Sequence, residues 1–280
     1  MTSMTIAERM LHCATRLKTY KGGQLLAYGT GFYYRLDRPG GHSILLMTNK
    51  HVFQGATRIV LIMHYADPAD PSRPSGRVGP MEVLIWPELV VNHPDKHVDL
   101  CAVNISSDLG KGSKRNGPPF YVALGPENMP GAEDAERIDA IEEVTMVGCP
   151  KGIYDEKNNI PIVRRGITAT PITRSFNGKP EFVVDMACYG GSSGSPVFLH
   201  NRDGYFDRKT NSFVAGKQRL FLVGVLYGGP LFTNSGQVVI AHEVQVAVTT
   251  PMHLGYCISH TEVKALADLY EPTVQSRRKT

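Results

Sequence analysis

Short runs of apolar and β-branched residues alternate along most of the chain with clusters of glycine, proline, asparagine and aspartate. This pattern is typical of many antiparallel strands and few helices. It predicts strands near residues 24–35, 43–48, 57–64, 81–91, 98–104, 143–148, 160–173, 181–185, 196–200, 219–227 and 237–249. The chain is therefore expected to be an all-β protein.

Three polar stretches between these runs are expected to form surface loops. They cover the proline-rich residues 66–80, residues 106–119, and residues 201–218, which indicate a hairpin insertion. The start of the chain predicts a short amphipathic helix that runs through about Leu17. Near the other end, Thr261–Tyr270 predicts a closing helix, which is followed by a basic tail.

A polar span from about residue 106 to residue 139 separates the predicted strands into two groups of similar size. We therefore expect two β-lobes joined by a long crossing. The expected units are a helical extension over 1–20, a first β-barrel over 21–115, a linker over 116–139, a second β-barrel over 140–258, and a C-terminal helix with a basic tail over 259–280.

Composition narrows the function classes. With 42% apolar and 20% charged residues, the chain is an ordinary globular protein rather than a disordered or collagen-like one. Its 30 basic and 26 acidic residues leave a net charge of +4, too small an excess to indicate nucleic-acid binding. The best apolar runs, Ile59–Met63 and Leu220–Leu226, are far shorter than the roughly 18 residues of a membrane span. Neither a nucleic acid nor a membrane is an expected partner.

The cysteines and the N-terminus bear on the cellular compartment. The five cysteines are odd in number and widely spaced, and no CxxC pair offers a zinc or redox site. Glu8 and Arg9 interrupt any apolar core that a secretory signal would need. The sequence therefore predicts a cytoplasmic protein without a metal site.

A glycine-lined serine cluster, Tyr189–Pro196, is the most informative string in the chain. A serine hydroxyl becomes an effective nucleophile when an imidazole takes its proton and a carboxylate orients that imidazole. His51 follows an apolar strand, and Asp99 lies within the predicted strand 98–104. A carboxylate in an apolar strand is costly unless it is paired, and a histidine would be a suitable partner.

The order His51, Asp99, Ser193, with gaps of 48 and 94 residues, resembles the trypsin/chymotrypsin superfamily of serine proteases. The closest resemblance is to its bacterial branch, an HtrA-type protease domain without a PDZ module. Six ordered strings carry it: Gly29–Phe32, Thr48–Val52, Asp99–Val103, Gly148–Gly152, Gly191–Pro196, and Ala247–Pro251 as the last barrel strand. The match covers about residues 24 to 258, and the ordered set is more specific than any single string.

The resemblance implies roles for these residues. Ser193 would be the nucleophile, His51 the general base and Asp99 the acid that orients the base. The backbone amides of Gly191 and Ser193 would form the oxyanion hole. The family fold is two six-stranded antiparallel barrels, with the site in the cleft between them. The expected activity is that of a cofactor-free serine endopeptidase that cleaves protein or peptide substrates through an acyl-enzyme.

The sequence departs from the family's secreted members in two respects, which concern the ordering of the oxyanion loop and the substrate pocket. Those members order the oxyanion loop with a freshly cut N-terminal ammonium, which pairs with an aspartate just before the serine. Here Ser192 stands at that place, and no Ile-Val-Gly-Gly start precedes the first strand. We therefore expect neutral hydrogen bonds or an activating partner to order this loop. We expect no peptide-binding module after the barrels, because residues 259–280 are too few to form one, and this expectation favours selective, regulatory cleavage.

The second departure concerns the substrate pocket. Counting back from Ser193, the resemblance places the pocket floor at Ala187, with Cys188 beside it, and one wall at Tyr227, Gly228 and Gly229. A floor without a carboxylate disfavours cleavage after Lys or Arg, because a desolvated cation is costly without a partner. Cleavage after uncharged residues is expected.

Other interpretations remain open. Residues 190–194 also fit the Gly-x-Ser-x-Gly nucleophile elbow, but that motif requires a following helix and Pro196–Leu199 predicts a strand. His93 and His97 suggest a metal pair, although Pro94 and the lack of a third ligand favour a surface loop. A catalytically silent peptide-binding barrel and an esterase on the same scaffold are the alternative functions.

Overall fold

The structure of the protein, a computed structural model, describes residues 4–238 and 244–277. Antiparallel strands form two main groups. The first sheet contains β1 (Ala14–Lys21), β2 (Gln24–Arg38), β3 (Gly41–Thr48), β4 (Arg58–Ala66), β5 (Pro74–Leu84), β6 (Val90–Asn92), β7 (Cys101–Asn104) and β8 (Pro119–Phe120). Its strand order is β5-β4-β1-β2-β3-β7-β6, and β8 pairs with β4.

The second group is a closed six-stranded barrel with the order β10-β11-β18-β15-β12-β9. Its strands are β9 (Glu143–Gly148), β10 (Ile162–Thr168), β11 (Glu181–Asp185), β12 (Pro196–Asn201), β15 (Arg219–Gly228) and β18 (Leu254–Ser259). Two hairpins extend from the barrel: β13 (Gly204–Asp207) with β14 (Ser212–Ala215), and β16 (Leu231–Val238) with β17 (Val244–Pro251).

Short helices and turns connect the strands. The α-helices are α1 (Ile6–Leu11), α2 (Lys50–Phe53), α3 (Ser106–Asn116), α4 (Ala132–Arg137) and α5 (His260–Arg277), and the 3₁₀ turns are Pro126–Asn128 and Pro150–Gly152. A capping box starts α1, because Thr5 Oγ1 accepts from the Glu8 N–H at 3.2 Å and the Glu8 carboxylate accepts from the Thr5 N–H at 2.6 Å. None of the described helices is long and apolar enough to cross a membrane.

Each group of strands buries apolar side chains of its own, and a third cluster joins the two groups. That cluster packs Phe32 of β2 and Phe198 of β12 with Val263 and Tyr270 of α5. The Tyr270 hydroxyl donates to the Leu89 carbonyl at 2.9 Å and accepts from a main-chain amide of β7. The C-terminal helix therefore connects the second barrel to the β6–β7 segment of the first sheet.

The expected all-β fold with two strand-rich units is confirmed. The closed barrel has the six strands expected of a family barrel, whereas the first sheet has eight. The 201–218 insertion is a hairpin as predicted, and the closing helix is confirmed as α5. The division of the chain into units at the predicted boundaries stays a prediction.

The helix predicted through Leu17 is wrong, because the helix ends at Leu11 and Ala14–Lys21 forms β1. β1 pairs with β2 along its whole length and with β4 near its end. This pairing on both edges, together with burial of alternate side chains such as Leu17, outweighs the local helical pattern.

Other element predictions also need correction. Of the predicted loops, 66–80 contains the start of β5, and 106–119 contains α3; the predicted linker 116–139 contains β8 and α4. The predicted strand 237–249 falls in the β16–β17 hairpin, with residues 239–243 outside the described residues. The last barrel strand is β18, not Ala247–Pro251, because β18 pairs with both β11 and β15.

Candidate active site

Strand pairing brings His51 and Asp99 to the same end of the first sheet. β3 and β7 are antiparallel neighbours in which Thr48 pairs with Cys101. His51 comes three residues after Thr48, in the single turn α2, and Asp99 comes two residues before Cys101. Asp99 therefore lies just outside β7 rather than within a strand, which corrects the prediction that a strand spans 98–104.

Both oxygens of the Asp99 carboxylate contact His51, one at the imidazole and the other at the main-chain N–H. Nδ1 of His51 lies 2.5 Å from Oδ2, and the His51 main-chain N–H donates to Oδ1 at 3.2 Å. The buried Asn49 side chain donates to the Asp99 carbonyl at 2.6 Å. Burial raises the pKa of Asp99, but the hydrogen bonds and charge of His51 outweigh burial, so this pKa lies below its ordinary value. An ionised Asp99 fixes Nδ1 as the donor and leaves Nε2 as the basic nitrogen.

Ser193 lies in the loop between β11 and β12. The Ser193 carbonyl accepts from the Thr30 N–H at 2.9 Å, and the Gly194 N–H donates to the Leu226 carbonyl at 2.8 Å. A Cβ at Gly194 would lie 2.4 Å from Thr48 Oγ1, so the loop packs directly against the strand that leads to His51. The structure thus brings the loop of the predicted nucleophile to the His51 end of the first sheet.

The Ser193 hydroxyl donates to the Tyr227 carbonyl at 3.4 Å. Within residues 4–238 and 244–277 this is its hydrogen-bond partner, so the hydroxyl is not bonded to Nε2 of His51. The pairing of His51 with Asp99 is therefore formed, while a hydrogen bond between Ser193 and His51 is not.

Gly191 adopts a backbone conformation that only glycine takes without strain. Its φ is +83°, and a Cβ at this position would lie 2.6 Å from the Lys151 nitrogen and 3.1 Å from the Cys149 carbonyl oxygen. Among the described residues, neither the Gly191 nor the Ser193 amide donates a hydrogen bond. Both predicted oxyanion donors are therefore unoccupied by protein acceptors of the described part of the chain.

A cavity of about 180 Å³ adjoins Ser193. It is lined by Cys188, Tyr189, Gly190, Ser193, Leu226, Gly228, Gly229, Pro230, Leu231 and Leu254. Of the predicted pocket residues, Cys188, Gly228 and Gly229 line it, whereas Ala187 and Tyr227 do not. Burial raises the pKa of the Cys188 thiol to about 11, so the thiol is neutral at physiological pH and contributes an uncharged surface.

Three residues near the site were not singled out by sequence analysis. Arg164 donates to the Ala187 carbonyl, and its guanidinium lies 5.0 Å from the centre of the Tyr189 ring. Thr30 and Lys151 contact the loop of Ser193. The Gly29–Phe32 string was a signal for Thr30, although it gave no reason to choose the threonine side chain.

The prediction that His93 and His97 lie in a surface loop is confirmed for His97 and wrong for His93. His97 is exposed, but His93 is buried, with Nε2 3.1 Å from the Glu262 carboxylate and Nδ1 accepting from the Asp95 N–H at 3.2 Å. His93 therefore connects the segment that carries Asp99 to the start of α5. The nucleophile-elbow alternative fails, because strand β12 rather than a helix begins at Pro196.

Comparison with known proteins adds a family match. A model of the trypsin-like peptidase domain matches residues 29–206. No curated protein sequence matches the chain significantly. A mutant of Rv3671c from M. tuberculosis H37Rv, in its inactive form, is 13% identical over 96% of this chain and 90% of its own, with a TM-score of 0.49. Catalytically active tobacco etch virus protease complexed with product is 11% identical over 92% and 77%, with a TM-score of 0.46. A scabies mite inactivated protease paralogue is 14% identical over 94% and 96%, with a TM-score of 0.47.

Proposed function

Because the chain belongs to the trypsin-like peptidase family, whose domain model matches residues 29–206, we propose that it is a serine endopeptidase with Ser193 as the nucleophile. The observation that carries this proposal is the His51–Asp99 pair, 2.5 Å apart, beside a serine loop with two unoccupied amide donors. The pair supplies a general base, and the amides supply an electrostatic site for a developing oxyanion.

In the proposed reaction, the Ser193 hydroxyl leaves the Tyr227 carbonyl and turns toward Nε2 of His51. The imidazole takes the hydroxyl proton as Oγ attacks the substrate carbonyl, and Asp99 stabilises the imidazolium. The amides of Gly191 and Ser193 donate to the oxyanion, and one such donor is worth roughly 10²- to 10³-fold in rate. The imidazolium then protonates the leaving amine, and water hydrolyses the acyl-enzyme by the same route.

The character of the cavity beside Ser193 supports a substrate preference. Its walls include the apolar side chains of Leu226 and Leu254 and the neutral thiol of Cys188, and none of its described lining residues carries a carboxylate. A Lys or Arg side chain would lose hydration there without gaining a counter-ion. We therefore propose cleavage after uncharged residues, with basic residues disfavoured at that position.

One observation favours a second candidate, a catalytically silent barrel that binds peptides. The Ser193 hydroxyl bonds to the Tyr227 carbonyl instead of to His51. If that hydrogen bond persisted on substrate binding, the serine would not be activated. An esterase on the same scaffold would use the same residues, and a comparison of amide with ester substrates separates it from an endopeptidase.

We also propose a cytoplasmic location and a regulatory role for the cleavage. All five cysteines are buried free thiols, as is ordinary in a reducing compartment. The substrate would be a protein or peptide.

The function is tested by labelling with a fluorophosphonate probe, which reacts with an activated serine. We expect the wild type to be labelled and both Ser193→Ala and His51→Ala to lose labelling. His97→Ala is the matched control, because His97 is an exposed histidine close in sequence to Asp99. Mapping of new protein termini made by the wild type, but not by Ser193→Ala, then identifies cleavage sites. Labelling that persists in Ser193→Ala, or a wild type that neither reacts nor hydrolyses amides, contradicts the proposal.

A further inference from the structure

Thr30 of β2 makes three hydrogen bonds to segments of the second barrel. Its hydroxyl donates to the Gly191 carbonyl at 3.2 Å and accepts from the Cys149 N–H at 2.9 Å. Its main-chain N–H donates to the Ser193 carbonyl at 2.9 Å. Thr30 is completely buried, so these bonds do not compete with solvent. One threonine of the first sheet therefore holds both residues that are expected to bind the oxyanion.

Two further carbonyls of the same loop, those that precede the Gly191 and Ser193 amides, are also occupied. The Gly190 carbonyl accepts from the Lys151 N–H at 2.6 Å, and the Ser192 carbonyl accepts from the Ser195 N–H at 3.0 Å. In a trans peptide the carbonyl and the following N–H point in opposite directions. The bonds at Gly190 and Ser192 therefore set the directions of the Gly191 and Ser193 amides, and Thr30 fixes the peptide that links them.

Glycine at position 191 makes this external support necessary. A glycine backbone has a wide range of accessible conformations, so the conformation at Gly191 depends on the hydrogen bonds that hold its peptide groups. The neighbouring Ser192 does not provide such a contact through its side chain, because its buried Oγ has no hydrogen-bond partner among the described residues. The side-chain hydrogen bond to the Gly191 carbonyl comes from Thr30.

We propose that the Thr30 hydroxyl is a positioning group that holds the oxyanion loop in its donor conformation, without cleavage of the chain. This inference rests on the proposed serine peptidase function. Thr30 does not touch the reacting atoms; it acts through the direction of the Gly191 and Ser193 amides. Because the hydroxyl belongs to the first sheet and the loop to the second barrel, correct packing of the two units is what forms the donor site.

The test compares Thr30→Val, which keeps the side-chain shape but removes the hydroxyl, with Thr30→Ser, which keeps the hydroxyl. Thr19→Val is the matched control, because Thr19 is a completely buried threonine of the adjacent strand whose hydroxyl donates to the Ala27 carbonyl. We expect Thr30→Val to lower kcat roughly 10²-fold, the loss typical of one oxyanion donor, with little change in KM. Thr30→Ser and Thr19→Val should keep most of the wild-type kcat.

Binding of inhibitors separates positioning from general damage to the fold. A peptide aldehyde forms a hemiacetal with the serine and needs the oxyanion donors, whereas the matching peptide alcohol does not. We expect Thr30→Val to lose affinity for the aldehyde by about the same factor as kcat, while affinity for the alcohol is retained. Equal losses for both inhibitors would overturn the proposal.

Hydrogen exchange provides a readout that does not depend on activity. Amides of the segment 189–195 should exchange faster in Thr30→Val than in the wild type, and those in Thr30→Ser should not. Thr30→Ala serves as a second deletion of the hydroxyl if the valine variant does not fold. Unchanged exchange in the folded deletion variant overturns the inference about Thr30. If exchange differs between Thr30→Val and the wild type as expected, but the wild type neither reacts with the fluorophosphonate probe nor hydrolyses peptide substrates, the peptidase function is overturned instead.

Discussion

Nδ1 of His51 lies 2.5 Å from Oδ2 of Asp99, and the other carboxylate oxygen accepts the main-chain N–H of His51 at 3.2 Å. The carboxylate therefore contacts the histidine at both its ring and its main chain. This two-point contact fixes the orientation of the imidazole and the position of its proton, which is the arrangement a general base needs.

Asp99→Asn should lower kcat about 10⁴-fold with little change in KM. An asparagine keeps the shape of the carboxylate, but its amide group favours the wrong tautomer of His51 and does not stabilise the imidazolium. Steady-state hydrolysis of an ester substrate measures the effect. Asp95→Asn in the same segment is the control and should remain near wild type, because the Asp95 side chain accepts from the His97 N–H and does not contact His51. Equal losses in the two variants would contradict the assigned role of Asp99.

Gly191→Ala should lower kcat roughly 10²- to 10³-fold, because the added Cβ would lie 2.6 Å from the Lys151 nitrogen and would displace the loop. The control is Gly178→Ala. Gly178 also has a positive φ, at +75°, but no heavy atom lies within 4 Å of its Cβ position. The control therefore carries the backbone strain without the close approach. Comparison of kcat for the two folded variants checks the prediction, and similar kcat values would show that the approach to Lys151 is unimportant.

The sequence was sufficient to propose His51, Asp99 and Ser193 as candidates, because each stands in a local string with a recognisable apolar or glycine-rich setting, and their catalytic roles stay predictions. The bonds of Thr30 were not predictable in the same way. Its hydroxyl partners, Cys149 and Gly191, are 119 and 161 positions away along the chain. Only the packing of the first sheet against the second barrel brings them together, and no local pattern records that packing.

The error at the N-terminus has a related cause. Apolar spacing through Leu17 fits a helix face, but β1 finds partners on both of its edges, β2 and β4. Tertiary pairing of this kind overrides local propensity. The orientation of the Ser193 hydroxyl also could not be predicted from the sequence, because it depends on the position of the Tyr227 carbonyl near the end of a different strand.

Arg16 of β1 binds the segment that contains Lys151. Its guanidinium donates to the Gly152 carbonyl at 3.3 Å and to the Tyr154 hydroxyl at 3.0 Å, and it lies 4.0 Å from the centre of the Tyr154 ring. Because the Lys151 N–H in turn donates to the Gly190 carbonyl, loss of the Arg16 contacts should make the oxyanion loop less ordered. We expect Arg16→Ala to lower kcat about tenfold, equivalent to about 1.4 kcal/mol in the barrier.

Arg58→Ala is the matched control for Arg16→Ala. The Arg58 guanidinium also stacks on a tyrosine of the first sheet, 4.7 Å from the centre of the Tyr20 ring, and it pairs with Glu82 at 2.8 Å. It does not contact the segment of Lys151, so kcat should stay near wild type. Arg16→Lys should recover little activity, because lysine lacks the planar fork that reaches two acceptors. Equal kcat in Arg16→Ala and the wild type would refute the proposed role of Arg16 in ordering the oxyanion loop.

Gly228→Val should shift the substrate preference toward small residues at the cleaved position. Gly228 lines the cavity beside Ser193, and no heavy atom lies within 4 Å of a Cβ built on it, so a valine fits the backbone and projects into open space. The activity on large apolar residues should fall, with KM rising more than kcat falls, while thermal stability is retained. Profiling on a peptide library measures this. Gly41→Val, which also has open space at Cβ but starts β3, should leave the profile unchanged.

His12 should make the fold less stable in mild acid. It is buried, and its ring packs edge-on against His64 at 4.7 Å and Phe120 at 5.1 Å. The pKa of His12 is lowered from 6.5 to about 4, mainly by burial and to a smaller extent by the charge of the neighbouring His64, while Glu8 opposes the shift.

The folded protein therefore keeps His12 neutral where the unfolded chain would take up a proton. As pH falls from 6.5 to about 4, the free energy of unfolding should decline by about 3 kcal/mol from this group, with no further loss from it below pH 4. Urea unfolding at a series of pH values measures the decline. His12→Phe keeps a ring in the same place but does not titrate, so its unfolding free energy should depend less on pH over this range. His97→Phe, a change at an exposed histidine, should keep the wild-type dependence. A His12→Phe protein with the same acid sensitivity as the wild type would assign the effect to other groups.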